Sequence, residues 1–135
     1  REEEATLVDT LTEGDDETLS MVAELDGMIV GHILLSALRG PKRGLALAPL
    51  AVDPEWRDFL IGTELTRNAI AAARDAGWRS IFVLGDPVYY GRFGFRNPPD
   101  LVVPGVPPQA FQVLPLSGAV PTGTAAFHPA FAATA

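Results

Sequence analysis

Residues 85–95 read Gly85-Asp86-Pro87-Val88-Tyr89-Tyr90-Gly91-Arg92-Phe93-Gly94-Phe95, an aromatic run opened and broken by glycine. Asp86-Pro87 has the chemistry of a helix start. The aspartate can cap free amides, and proline suits the first helical position, where its missing N–H is no loss. A brief helix through Tyr90 to about Phe93 is expected, with Gly94-Phe95 leaving it into a strand start. Two uses of the aromatics stand open. A tyrosine hydroxyl held near a leaving group can act as a general acid. Tyr89, Tyr90, Phe93 and Phe95 can equally be core aromatics.

On the N-terminal side of this run, Ser80 to Leu84 reads as a short buried strand, and Gly77 as the stop of a preceding helix. That helix is expected over Ile61 to Ala76, with Ile61, Leu65, Ala69, Ala72, Ala73 and Ala76 on one apolar stripe. Asp53-Pro54 separates it from Leu45 to Val52, apolar throughout, as a central strand buried on both faces would be. Pro49 cannot donate to a ladder, so a bulge is expected there. Earlier still, Asp26-Gly27 is a hairpin turn signal between strands at Thr18 to Leu25 and Met28 to Leu38. Leu7, Val8 and Leu11 fall at helical spacing, which predicts a short amphipathic helix over Arg1 to Leu11. Glu13 to Asp16 and Arg39 to Gly44 read as loops. On the C-terminal side, Leu101 to Pro108 reads as connection, Phe111 to Leu116 and Gly123 to Phe127 as final strands, and residues from Pro129 as a loosely held tail. Strands that first pair as a hairpin and later alternate with helices make the class α/β with a mixed sheet.

The turn before Ile61 is a second place for chemistry. A helix N-terminus offers free amides and about half a positive charge, which suits a phosphate. Gly62 and Thr63 supply close backbone approach and a hydroxyl, and Arg57 precedes them. By itself this is a common arrangement of strand and helix.

Taken together, LAPLAVDPEW, IGTEL and AARDAGWRSIFVLGDPVYYGRFGF resemble the central part of the GNAT acetyltransferase superfamily, and are most similar to the bacterial subgroup with a GDPxYYxRFGF signature. The resemblance runs from about Thr18 to near Phe131. It implies a GNAT-type mixed sheet flanked by helices, with Leu45 to Val52 as a central strand, bulged near Pro49 and splayed from Ser80 to Leu84. It implies acetyl-CoA as co-substrate, with the backbone at Leu50, Ala51 and Val52 pairing the pantetheine arm. The segment Arg57, Phe59, Leu60, Ile61, Gly62 and Thr63 would take the pyrophosphate, and Tyr90 would protonate the leaving thiolate, with Tyr89 as packing. The resemblance also implies a first strand-helix unit ahead of Arg1 that is missing from this sequence. Two features depart from the pattern. Leu60 stands where the family's loop has its first glycine, and Asp58 sets a carboxylate beside the expected diphosphate. Leucine can keep a helical conformation and extend the helix backwards, so weakened acetyl-CoA binding is expected. Leu45 to Val52 carries no acid to serve as base, and His32 on the neighbouring strand reads as a packed histidine.

Composition bounds what else the chain can do. Its 135 residues suit one domain, and 47% apolar with 20% charged residues is the balance of a globular protein. No apolar run is long enough to span a bilayer, and the acidic start lacks a signal-peptide pattern, so a cytoplasmic setting without a membrane partner is expected. Cysteine is absent, which excludes disulfides and thiolate chemistry. His32 and His128 alone do not make a zinc site, so no metal is expected. The net charge is −7, and the bases are not clustered, which argues against nucleic acid. The acids concentrate before Val30 and would draw a cationic acceptor weakly. The leading expectation is acetyl transfer to an amine of a small molecule or peptide. The alternatives are a GNAT-fold binding or regulatory module with little turnover, and a structural domain that pairs into a homodimer through an uncovered sheet edge.

Overall fold

The computed structural model describes residues 7–11, 18–98, 100–118 and 121–125. Six strands run in the hydrogen-bonded order β1-β2-β3-β4-β5-β7: β1 (Leu7–Leu11), β2 (Thr18–Leu25), β3 (Met28–Ala37), β4 (Gly44–Val52), β5 (Ser80–Leu84) and β7 (Phe111–Pro115). Two-residue strands β6 (Leu101–Val102) and β8 (Gly123–Thr124) pair separately in parallel. The helices are α1 (Ile61–Asp75) and α2 (Pro87–Gly91), with 3₁₀ turns at Pro54–Phe59 and Pro108–Ala110. This is a mixed α/β fold: β1–β2, β2–β3 and β5–β7 pair antiparallel, whereas β4–β5 and β6–β8 pair in parallel. The chain divides into two compact units, one of residues up to Ser36 with Ala48–Ala73, the other of Ala37–Leu47 with residues from Arg74 onward.

In the first unit, β2 and β3 meet at Asp26 (φ 51°) and Gly27 (φ 83°). Both central positions of the favoured hairpin turn need positive φ, so the Asp-Gly signal is read correctly. The β2–β3 ladder shifts register between Ala23 and Glu24. Period-2 alternation puts Met21, Ala23, Ile33 and Leu35 on one buried face. Gly31 lies in that row, and a Cβ there would stand 2.9 Å from Leu65 Cδ1 and 3.0 Å from Ile61 Cγ2. The missing side chain therefore lets the first turns of α1 press against β3. The buried stripe of α1 is Ile61, Leu65, Thr66, Ala69, Ile70 and Ala73. Thr66 is tolerated inside because its hydroxyl donates to the Gly62 carbonyl at 2.8 Å. Ala72 is half-buried and Ala76 exposed, so the stripe drifts toward Thr66 and Ile70 from the one expected.

The helix expected over Arg1 to Leu11 is a correction. Its described part, Leu7–Leu11, is a strand paired along its whole length with β2, from Leu7↔Glu24 to Leu11↔Ser20. Three apolar residues in five positions fit either period. The β-branched Val8 and Thr10 and an available strand edge decide for extended backbone. The loop read at Glu13 to Asp16 and the tail from Pro129 lie outside the described residues.

In the second unit, β5 pairs in parallel with β4 from Gly44↔Ser80 to Leu47↔Val83, and antiparallel with β7 from Ser80↔Pro115 to Leu84↔Phe111. The β4–β5 register stops at Leu47, one residue before the cis Ala48–Pro49 peptide. Full-length pairing of these strands, which Pro49 argued against, does not occur. One face of β5 and β7 carries Phe82, Phe111 and Val113, packed with Leu101, Val103 and Ala125. Arg43 stacks 4.0 Å over Trp78 and donates to the Ala76 carbonyl at 2.9 Å, satisfying an orphan acceptor at the helix end. Of the strand expected at Gly123 to Phe127, residues 123–125 are described; Gly123–Thr124 is strand, with Leu101–Val102 as its partner, and Ala125 lies just beyond it. That pairing falls in the stretch read as plain connection.

Candidate active site

In the first unit the residues expected to hold a cofactor sit along the path from β4 to α1. Leu50 and Val52 are half-buried and Ala51 is exposed. The Asp53 carboxylate accepts from the Glu55 amide at 3.0 Å and starts the 3₁₀ turn Pro54–Phe59. Arg57, exposed, donates from Nε to the Val52 carbonyl at 3.4 Å. The backbone of Asp58 and Phe59 continues the turn. Leu60 then takes φ 61°, ψ 22°, and α1 begins at Ile61.

Leu60 corrects the sequence reading. It does not extend the helix backwards; it occupies the left-handed region where a glycine would be at ease. The cause is the junction itself. The 3₁₀ turn ends at Phe59 and α1 starts at Ile61, and the single residue between them takes the left-handed conformation that ends a helix. Left-handed backbone costs an L-residue about 1–2 kcal/mol. The side chain recovers little of that by burial, since 65% of it is exposed. The Leu60 carbonyl accepts from the Glu64 amide at 3.0 Å, closing the first turn. The amides of Ile61, Gly62 and Thr63 therefore belong to the set that has no acceptor within the helix.

In the second unit, Asp86 caps α2 by accepting from the Val88 amide at 2.9 Å, and Pro87 follows at the first helical position. The turn carries Tyr89 and Tyr90, whose rings meet edge-on at 5.0 Å between centroids. Tyr90 also meets the buried Phe95 edge-on at 5.6 Å, while Tyr89 meets Phe93 at 5.5 Å and lies 4.5 Å below the Arg92 guanidinium. The Tyr90 carbonyl accepts from the Phe93 amide at 3.0 Å, which bends the chain back toward Phe95. Tyr90 is half-buried, and burial, with a smaller push from Tyr89, raises its phenol to about 12. It holds its proton at neutral pH and can give it, but cannot serve as a base there. Within the aromatic run, Tyr89 and Phe95 pack edge-on against Tyr90, and Phe93 packs against Tyr89.

His32, on β3, lies 2.8 Å through Nε2 from the buried Ser20 hydroxyl, so a neighbouring strand fixes its orientation. Among the described residues no three His, Cys, Asp or Glu side chains gather as a metal site. No helix there is long and apolar enough to cross a membrane. Two residues of the tyrosine cluster escaped the sequence reading. A Cβ at Gly85 would stand 2.8 Å from Tyr90 Cε2, and Gln112 on β7 donates to the Gly85 carbonyl at 3.4 Å. Gly85 was visible as part of its string but without a role, and nothing near Gln112 in sequence marks it.

The acetyltransferase (GNAT) family matches residues 1–95. The uncharacterized N-acetyltransferase YjhQ of Escherichia coli (strain K12) is 39% identical over 101 residues, covering 69% of this chain and 55% of its own length. YhbS of the same strain, also an uncharacterized N-acetyltransferase, is 34% identical over 97 residues, covering 69% of this chain and 58% of its own. The chain thus spans about half the length of the curated relatives it matches. The crystal structure of Escherichia coli YhbS in complex with CoA has a TM-score of 0.80 at 26% identity, over 94% of this chain and 92% of that one. A GNAT acetyltransferase from Brucella melitensis in complex with acetyl-CoA has a TM-score of 0.71 at 37% identity, over 84% of this chain and 68% of that one. With most of its length matched, from β1 through the tyrosine turn, this chain belongs to the acetyltransferase (GNAT) family.

Proposed function

We propose that the protein is an N-acetyltransferase that uses acetyl-CoA and acetylates an amine of a small molecule or peptide. The observation that carries this reading is Tyr90, a half-buried phenol inside the motif that resembles the family's acid-bearing turn. Relatives named N-acetyltransferases, and similar structures solved with CoA or acetyl-CoA, support the choice of co-substrate. The first turn of α1 fits a diphosphate, because its leading amides have no acceptor within the helix and their dipole favours an anion.

In this reading the amides of Ile61, Gly62 and Thr63 hold the pyrophosphate, with Arg57, Phe59 and Leu60 at its border. The backbone of Leu50, Ala51 and Val52 holds the pantetheine arm. Bound acetyl-CoA supplies an acetyl group activated as a thioester. The acceptor nitrogen forms the amide bond as the C–S bond breaks and gives up one proton to solvent, while Tyr90 delivers its Oη proton to the departing sulfur and is reprotonated from water. A phenol with so high a pKa remains loaded with that proton across the physiological range.

Release of free thiol should be followed with a panel of primary amines, and acetyl-CoA binding by calorimetry. Tyr90→Phe is expected to lower turnover by about 10²-fold while the dissociation constant for acetyl-CoA stays nearly unchanged. Equal turnover in Tyr90→Phe and wild type would return the residue to packing and remove the basis of this assignment.

A further inference from the structure

Gly85 follows β5 directly, and its φ lies outside the range that favours glycine. Backbone freedom is therefore not what glycine supplies there. Space is: a Cβ at this position would stand 2.8 Å from Tyr90 Cε2, 3.4 Å from Cδ2 and 3.9 Å from Cζ. The phenol ring lies on the bare α carbon of Gly85. A second observation concerns the same residue. Gln112 sits opposite Val83 in the β5–β7 ladder. Side chains alternate along a strand, so Gln112 shares its face with Val83 and with the direction in which a Gly85 side chain would point. Its amide reaches Gly85: Nε2 donates to the Gly85 carbonyl at 3.4 Å. Gln112 is 3% exposed, and its Oε1 is buried with no hydrogen-bond partner among the described residues. A buried, unmatched amide oxygen costs stability, and such a cost is tolerated where position matters more than stability.

We propose that Gly85 and Gln112 are positioning residues for Tyr90, Gly85 by leaving room for the ring and Gln112 by holding the Gly85 peptide from β7. Neither touches the reacting atoms; both act through where the phenol stands. The consequence for turnover rests on the function proposed above, whereas the effect on the ring does not.

The ring is read directly by ultraviolet titration of phenolate in a Tyr89→Phe background, where Tyr90 is the remaining tyrosine. Gly85→Ala displaces the ring outward, so its ionisation midpoint is expected to fall from the raised value that burial gives it in this background toward the ordinary value near 10. In the same variant kcat is expected to fall about tenfold or more, with KM for acetyl-CoA within about twofold, since small misplacement of an acid costs rate rather than binding. In a Tyr90→Phe background, Gly85→Ala should add nothing to the loss, because the path of its effect is gone. Gln112→Leu removes the unmatched oxygen, so its melting temperature should equal or exceed wild type while kcat falls and the Tyr90 midpoint moves. This second variant carries the test if Gly85→Ala does not fold. An unmoved Tyr90 midpoint in both variants overturns the proposal, whatever turnover does. A fall in both melting temperature and kcat in Gln112→Leu, with the midpoint unmoved, makes Gln112 a packing residue only. A moved midpoint in an enzyme whose turnover does not depend on Tyr90 keeps the seat and removes the catalytic reading.

Discussion

At the scale of single residues, Leu60 shows how identity and conformation can part. A leucine where the family resemblance places a glycine suggests an altered backbone, yet the backbone here is the glycine-like one, at φ 61°. The strain is carried by the residue rather than avoided. Leu60→Gly should therefore raise stability by about 1 kcal/mol, the strain relieved less the added entropy of glycine in the unfolded chain. Thermal unfolding at neutral pH reads this, and a lower melting temperature would mean that the exposed leucine packs in a way its 65% exposure does not reveal. The same change should alter acetyl-CoA affinity by less than about threefold, because the amides after it are already set by the turn. A gain of tenfold or more would restore the obstruction first expected of Leu60 from the sequence.

At the scale of elements, the contact between β3 and α1 is set by one absent side chain. A Cβ at Gly31 would stand 2.9 Å from Leu65 Cδ1, closer than real contacts allow, and 3.0 Å from Ile61 Cγ2, with the Ala51 carbonyl 3.4 Å away on β4. Gly31→Ala forces an adjustment among the buried Leu65 and Ile61 and the Ala51 carbonyl, an overpacking expected to cost about 1–3 kcal/mol in denaturant unfolding. Ile61 is also the first residue of α1, so the substitution should weaken acetyl-CoA binding measured by calorimetry while leaving the Tyr90 titration where it is. Full stability with unchanged affinity would show that α1 can retreat from β3 at no cost. The helices of this protein were easy to place in sequence because their punctuation is chemical: Asp86-Pro87 to start α2, and Gly77, at φ 88°, after α1. Leu7–Leu11 was misplaced because five residues with no cap and no turn signal carry too little period to separate helix from strand.

At the scale of the whole molecule, the buried phenol ties folding stability to pH. Tyr90 stays neutral in the fold to about pH 12, while an unfolded tyrosine ionises near 10. Between those values the unfolded chain holds fewer protons than the folded one. Stability is thus fully present below about pH 10 and is lost as pH rises toward 12. The melting temperature of wild type should fall more steeply across that window than that of Tyr90→Phe, which lacks the group. Parallel curves for the two proteins would show that the phenol is not desolvated as its surroundings imply.

The order of the longer strands and the two helices from Thr18 to Leu116 (the two-residue β6 apart), the hairpin at Asp26-Gly27 and the candidate acid at Tyr90 were legible in the chain, because each rests on local chemistry: a period, a cap, a positive φ, a motif. The end of β4–β5 pairing at Leu47 could be foreseen in part, since Pro49 lacks an amide to donate. What only the tertiary structure decided concerns residues whose meaning depends on a distant neighbour. Leu7–Leu11 is a strand because β2 offers it an edge. Gly31 and Gly85 are small because a helix and a phenol lie against them. Gln112 matters because β7 lies beside β5 and brings its amide to Gly85. Sequence reports the forces that act within a few residues, whereas close packing acts between residues far apart along the chain, and only the folded arrangement brings those together.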